Sequence, residues 1–109
     1  MNKQDVVIVD AVRTAIGAFS GGFATVPAHQ LGATIIRALV DRNKIAPDAI
    51  SEVILGQVLT AAQGQNPARQ AVIAGGLPTS VPGWGVNQVC GSGLRSVALG
   101  FQAIQQGDS

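Results

Sequence analysis

The sequence predicts an α/β protein in which a parallel sheet is flanked by helices. Three observations indicate this class: short apolar runs alternate with helical patterns, the runs are continuous rather than alternating, and prolines and glycines separate the elements. Continuous apolar runs are typical of strands buried on both faces, as in a sheet covered by helices. Strands joined by helical crossovers are expected to be parallel, with right-handed connections.

The first part of the chain predicts a strand and a helix. Val6–Val9 is a continuous apolar run and predicts the first strand, buried between helices. Pro27 suits the first turn of a helix, and an apolar stripe then continues to about Arg42. Asn43 can end this helix in a left-handed conformation.

The middle of the chain predicts a second strand and a second helix. The strand candidate is 52–59, and a loop of small residues follows it. Asn66 is a good helix cap and Pro67 a good first helical residue. Gly75 and Gly76 then mark the expected end of the helix.

The most informative stretch is 84–106, which contains the single cysteine. Residues 84–89 predict a buried strand, Cys90 follows directly, and Gly91–Gly93 form a tight turn before a helix. An apolar face supports that helix: Leu94, Val97, Ala98, Phe101 and Ile104. The N–H groups and dipole of a helix start stabilise a thiolate, so the pattern predicts a nucleophile. A small buried core cysteine is the alternative interpretation.

Composition limits the class of function. The chain has 109 residues, 47% of them apolar and only 12% charged, with a net charge of +1. No basic surface for nucleic acid or anionic lipid is expected. A single cysteine fits a reducing compartment, and no run is long enough to span a membrane. We therefore expect no membrane association and a cytoplasmic location, with an organelle as the second possibility after removal of a targeting segment.

Other candidate residues are weaker. His29 is the only histidine, and because it has no companion ligands we expect a polar or capping role and no metal site. Arg13 and Arg69 can bind an anionic group, but ion-pair, backbone or packing roles are favoured. No nucleotide-binding glycine motif follows a strand.

Four stretches together carry a family resemblance. Asn87–Leu94, NQVCGSGL, resembles the active-site cysteine motif of the thiolase family. Asp5–Gly17 resembles the opening strand of the family and its Arg-Thr turn, Glu52–Gly56 its second strand, and Gly64–Gln70 its next helix start. Their order and spacing agree with the family over nearly the whole chain.

The resemblance implies a thiolase-like fold. Thiolases are much longer and have two similar halves, each built around a mixed five-stranded sheet. Residues 1–109 are accordingly expected to form an incomplete N-terminal thiolase domain, a partial first half with a mixed, mainly parallel sheet and flanking helices. The catalytic histidine and second cysteine of the family lie in its second half and have no counterpart here. His29 does not match that histidine.

The resemblance also implies an activity. Cys90 would accept the acetyl group of acetyl-CoA, its backbone N–H would stabilise the oxyanion, and a second acetyl-CoA would attack to give acetoacetyl-CoA. Ser92 and Asn87 would shape the turn rather than react. Coenzyme A thioesters would be substrates, with no cofactor and no metal, and the protein would be a homodimer or homotetramer. Residues 1–109 alone would be inactive.

Two alternatives stay open at this point. One is a condensing enzyme of the same superfamily that elongates acyl groups on a carrier. The other is a thiolase-like binding protein without catalysis, which would lack the base that removes a proton from the second acetyl-CoA.

Overall fold

The computed structural model describes residues 5–109 and confirms the α/β class. The elements in chain order are α1 (Ala28–Asn43), a 3-10 helix (Pro47–Ala49), β1 (Val53–Gly56), α2 (Pro67–Ala74), β2 (Gly83–Val86) and α3 (Ser92–Gln106). The two strands are parallel, with Val53 opposite Gly83 and Gly56 opposite Val86. The crossover between them contains α2, as the alternation of strand and helix predicted.

Helices cover both faces of this small sheet. Val53 and Leu55 of β1 pack against the apolar cluster that α1 and α2 form. Ile54, between them, lines a groove with Val97 and Ile104 of α3. Because successive strand residues point to opposite faces, α1 and α2 lie on one side of the sheet and α3 on the other. This explains why β1 is a continuous apolar run.

The core lies between α1, α2 and the sheet. Its members are almost completely buried: Ile36, Ala71, Val72, Leu77 and Val81. Gly83 allows α2 to approach β2 closely, since a Cβ atom there would lie 2.7 Å from Cγ2 of Val72. The core therefore depends on a residue without a side chain at the start of β2.

The observed helix ends agree closely with the caps that the sequence predicts. The side-chain oxygen of Asn66 accepts a hydrogen bond from the Arg69 amide at 3.1 Å, and Pro67 is the first residue of α2. Gly107 ends α3 with φ 81°. At the end of α1 the left-handed residue is Lys44, with φ 51°, so the prediction for Asn43 was wrong by one residue. Asn43 remains helical, and its side chain donates to the Leu39 carbonyl at 2.9 Å.

The predicted first strand is absent from the described part of the chain. Residues 6–9 have no strand partner, and Val7, Ile8 and Val9 are between 73% and 80% exposed. An apolar run becomes a strand only when its backbone pairs with a neighbour, and no described segment pairs with this one. Asp10, directly after it, is instead hydrogen-bonded to Asn43 at 2.8 Å.

The other two strands are shorter than predicted. The first spans Val53–Gly56 rather than 52–59, and the second spans Gly83–Val86 rather than 84–89. The expectation that 84–89 is buried was also wrong, because Trp84 is 37% and Val89 is 63% exposed. Within residues 5–109, β2 pairs with β1 and with no other strand.

Within residues 5–109 no helix combines the length and the apolar character that crossing a membrane requires.

Candidate active site

Cys90 lies where the sequence predicted it, between a strand and a helix. β2 ends at Val86, and α3 begins at Ser92. The thiol is free and exposed, so the interpretation as a buried core cysteine was wrong. Its position at the carboxyl end of a parallel strand matches the edge at which open α/β sheets bind ligands.

The turn that carries Cys90 is fixed by backbone and side-chain hydrogen bonds. The Gly91 amide donates to the Gln88 carbonyl at 3.0 Å, and the Ser92 amide donates to the Val89 carbonyl at 3.2 Å. The Ser92 hydroxyl donates to the same Val89 carbonyl at 2.6 Å and accepts from the Gln88 amide at 2.8 Å. The Cys90 amide donates none of these hydrogen bonds within residues 5–109.

Ser92 is the one buried residue of α3, at 4% exposure. Because its hydroxyl is satisfied as donor and as acceptor, burial of this polar group carries no unpaired atom. Asn87 supports the turn from the other side. Its side-chain oxygen accepts from the Val89 amide at 2.9 Å, and its side-chain NH₂ donates to the Val58 carbonyl at 3.1 Å.

Val89, immediately before Cys90, has φ 49°. This left-handed backbone conformation is unfavourable for a β-branched residue and persists only where the surroundings enforce it. No sequence signal pointed to it, because a glycine or asparagine is the residue that normally occupies such a position.

Gly56, the last residue of β1, brings the start of α3 close to the sheet. A Cβ atom at this position would lie 2.5 Å from the Gly93 nitrogen and 2.5 Å from the Ser92 carbonyl carbon. Such distances leave no room for a side chain. The first turn of α3, which follows Cys90, therefore rests directly on the end of β1.

A shallow groove at the same edge of the sheet contains uncharged polar groups. It is lined by Gln57, Thr60, Gly64, Asn66, Gly85 and Asn87, among others. Asn87 is shared by this groove and the Cys90 turn. Amide and hydroxyl groups can bind the carbonyl and amide groups of a neutral polar ligand.

The remaining candidates lie elsewhere. His29 is half-buried in the first turn of α1 and lines a groove with Phe23. Arg69 donates to the carbonyls of Val81 and Thr79 at 2.5 and 2.8 Å, which is a structural role. Arg13 is exposed and donates to the Thr14 carbonyl.

Cys90 has no acid–base partner in the described residues. No hydrogen bond within residues 5–109 joins it to another titratable side chain, and no group of three or more His, Cys, Asp or Glu residues there is placed to hold a metal ion. The turn therefore presents a thiol without a hydrogen-bonded acid or base beside it within residues 5–109.

Comparisons with known proteins agree on one family. The family model described as "Thiolase, N-terminal domain" matches residues 6–109. The acetyl-CoA acetyltransferase of Shinella zoogloeoides is 55% identical over 109 residues, which is the whole of this chain and 28% of that protein. The acetyl-CoA acetyltransferase of Paracoccus denitrificans is 60% identical over 103 residues, covering 94% of this chain and 26% of that protein.

A mammalian relative is similar to the same extent. The cytosolic acetyl-CoA acetyltransferase of Mus musculus is 55% identical over 107 residues, 98% of this chain and 27% of that protein. The chain thus spans little more than a quarter of the length of these relatives.

Proposed function

Because this chain belongs to the thiolase family, through its N-terminal domain, we propose that it supplies the nucleophile of an acetyl-CoA acetyltransferase. The observation that carries the proposal is the exposed Cys90 thiol at the junction of β2 and α3, in a chain that is 55–60% identical to proteins of that name. Acetyl-CoA is accordingly the proposed substrate.

The first step is acetyl transfer to the thiol. The Cys90 thiolate attacks the thioester carbonyl of acetyl-CoA, the acetyl group forms a new thioester with Sγ, and coenzyme A leaves as its thiol after taking up a proton. We propose the Cys90 backbone N–H as a donor to the oxyanion, since the neighbouring amides of Val89, Gly91 and Ser92 are already bonded within the turn.

The second step forms a carbon–carbon bond. The methyl group of a second acetyl-CoA loses a proton, its carbon attacks the acetyl carbonyl on Cys90, and acetoacetyl-CoA leaves as the thiolate of Cys90 is regenerated. Thiolysis of acetoacetyl-CoA is the same sequence in reverse. A base must remove the methyl proton, and we propose that it lies outside residues 5–109, where no titratable side chain is hydrogen-bonded to Cys90. Coenzyme A is thus proposed as part of the substrates, with no separate cofactor.

A chimera provides the test. Residues 1–109 would replace the matching segment of the Shinella zoogloeoides relative, which aligns with the whole chain. We expect radiolabelled acetyl-CoA to label Cys90 in this chimera and acetoacetyl-CoA to form. Cys90→Ala should abolish labelling and reduce turnover by at least about a thousandfold. Asp48→Asn, on the exposed 3-10 turn, is the control and should leave both unchanged.

Two outcomes would contradict the proposal. Full turnover by Cys90→Ala would remove Cys90 from the reaction. Elongation of carrier-bound acyl groups, with acetyl-CoA rejected as acceptor, would instead favour a carrier-dependent condensing enzyme.

We also propose that the protein acts as a homodimer or homotetramer in the cytoplasm. Exposed apolar side chains beside the candidate site support the oligomer: Trp84, Val89, Leu94, Val97 and Phe101. Large exposed apolar side chains, where they form one patch, usually contact another protein surface. The cytosolic mouse and rat relatives support the location. Light scattering of the chimera that detects only monomer at micromolar concentration would contradict the oligomer.

A further inference from the structure

We infer that Ser92 and Asn87 are positioning residues that act on Cys90 through Val89. They hold Val89 in its left-handed backbone conformation, and this conformation sets the direction in which the thiol points. The inference rests on the proposed function, because it concerns the geometry of acetyl transfer to Cys90.

The first observation is the conformation itself. Val89 has φ 49°, and it is adjacent to the candidate nucleophile. A valine left to its own preferences would leave this region of backbone space for a negative φ. A change of φ at residue 89 rotates everything that follows, so the Cys90 side chain would move with it.

The second observation is how completely Val89 is held. Its amide donates to the side-chain oxygen of Asn87 at 2.9 Å. Its carbonyl accepts from the Ser92 hydroxyl at 2.6 Å and from the Ser92 amide at 3.2 Å. The Asn87 side chain thus bonds the amide of Val89 and the Ser92 side chain bonds its carbonyl, on either side of the strained φ angle.

The third observation is that Ser92 is itself anchored. It is 4% exposed, its hydroxyl also accepts from the Gln88 amide at 2.8 Å, and its backbone lies against Gly56 of β1. Because the first turn of α3 is held against β1, the hydrogen bond from the Ser92 hydroxyl also holds the Val89 carbonyl in place. Asn87 is similarly tied to the Val58 carbonyl after β1.

A double-mutant cycle separates this role from ordinary structural support. Val89→Gly removes the steric penalty of a positive φ, so the turn should need its two side-chain restraints less. In the chimera we expect Ser92→Ala to slow acetylation of Cys90 by acetyl-CoA by about 10- to 100-fold when residue 89 is valine, because small misplacement of a reacting group is costly. When residue 89 is glycine, the same substitution should have an effect of under about threefold.

Alkylation of Cys90 by iodoacetamide is the second readout. This small reagent approaches from many directions and releases iodide, so its rate should change little in Ser92→Ala. Acetylation requires one direction of attack and should change strongly. A general loss of structure would lower both the thermal midpoint and the acetylation rate, and it would do so equally in the valine and glycine backgrounds.

Asn87→Ala provides an independent arm if Ser92→Ala does not fold, because Asn87 is exposed and its loss removes no buried group. It should show the same dependence on residue 89. If the unaltered chimera does not acetylate Cys90, the proposed function and this inference are both wrong. If it does, and the substitutions slow acetylation equally in both backgrounds or not at all, only the positioning inference is wrong.

Discussion

The two faces of the sheet differ in how completely this chain covers them. On the α1–α2 face, Ile36, Ala71, Val72, Leu77 and Val81 are all at most 7% exposed. On the α3 face the only buried helix residue is the polar Ser92. Three large apolar residues of α3 are substantially exposed, whereas Leu99 and Ile104 are half-buried: Leu94 is 78%, Val97 is 53% and Phe101 is 45% exposed.

This difference shows which face of the sheet the chain covers with its own residues. On the α1–α2 face the buried apolar residues all lie between positions 36 and 81 and contact one another. On the other face, α3, which begins two residues after Cys90, has several large apolar side chains exposed. Since exposed apolar side chains on one helix often mark a contact with protein, α3 is the element that we expect to contact further protein.

The largest expected effect concerns residues 1–109 in isolation. We predict that they neither fold as a stable monomer nor form acetoacetyl-CoA. Within residues 5–109 the sheet has two strands and both outer edges lack a strand partner, while residues 7–9 and Leu94 of α3 are largely exposed. The net stability of a domain is only about 5–15 kcal/mol. Thermal melting and a condensation assay would test this, with the chimera as control. A cooperative melt of a soluble monomer would refute the folding prediction, and product formation would refute the catalytic one.

The second prediction measures coverage of the two faces directly. Val72→Ala and Val97→Ala remove the same atoms, one from the buried core and one from α3. In the chimera we expect Val72→Ala to lower the free energy of unfolding by about 2–3 kcal/mol. If further protein covers α3, Val97→Ala should cost at least about 1 kcal/mol in urea denaturation. A change within about 0.5 kcal/mol, the usual result at an exposed site, would show that α3 stays in solvent.

Local sequence signals predicted one part of this architecture well. Asn66 with Pro67 and Gly107 were identified because helix caps depend on neighbouring residues. The tight turn predicted at Gly91–Gly93 was wrong in its position, because the turn lies at 88–92 and Ser92 is already the first residue of α3. The position of Cys90 between strand and helix was predicted from the apolar run before it and the helical pattern after it. Such features need no knowledge of the rest of the fold.

Features that depend on distant partners were not predictable in the same way. The run at 6–9 has the composition of a strand, but pairing is a property of two segments, and its neighbour could not be identified from the run itself. The contact between Gly56 and the first turn of α3 joins residues more than thirty positions apart. The conformation of Val89 depends on side chains that a propensity for valine does not describe.

The third prediction tests the contact between β1 and α3. Gly56→Ala places a Cβ atom 2.5 Å from backbone atoms of Ser92 and Gly93, so the first turn of α3 must shift. We expect a loss of about 1–3 kcal/mol in stability and at least about a tenfold slower acetylation of Cys90. Gly22→Ala, in the loop before α1, is the control, because its Cβ would meet no atom within 4 Å and Gly22 lies outside the candidate site. Equal effects of the two substitutions would contradict the proposed contact.

The smallest expected effect is a pH dependence on the α3 side of the sheet. Hydrogen bonds from the Ser109 hydroxyl at 2.6 Å and the Trp84 indole at 2.7 Å lower the pKa of Glu52 from its ordinary value of 4.5, and partial burial opposes them. A carboxyl group with a lowered pKa in the folded state stabilises the protein above its ordinary pKa. This stabilisation is lost as pH falls through the lowered value.

Glu52→Gln should therefore reduce the stability of the chimera at about pH 7, by under about 1 kcal/mol because the site is partly solvated. The difference from the unaltered chimera should diminish as pH falls through the lowered pKa, because Glu52 then becomes protonated in the folded as well as in the unfolded state. Urea denaturation at about pH 7 and at a series of lower pH values measures it. Asp48→Asn removes an exposed carboxylate that forms no hydrogen bond or ion pair within residues 5–109, so it controls for the loss of charge alone. If the loss of stability in Glu52→Gln stayed the same at low pH, the ionised carboxylate of Glu52 would not be the source of the stabilisation.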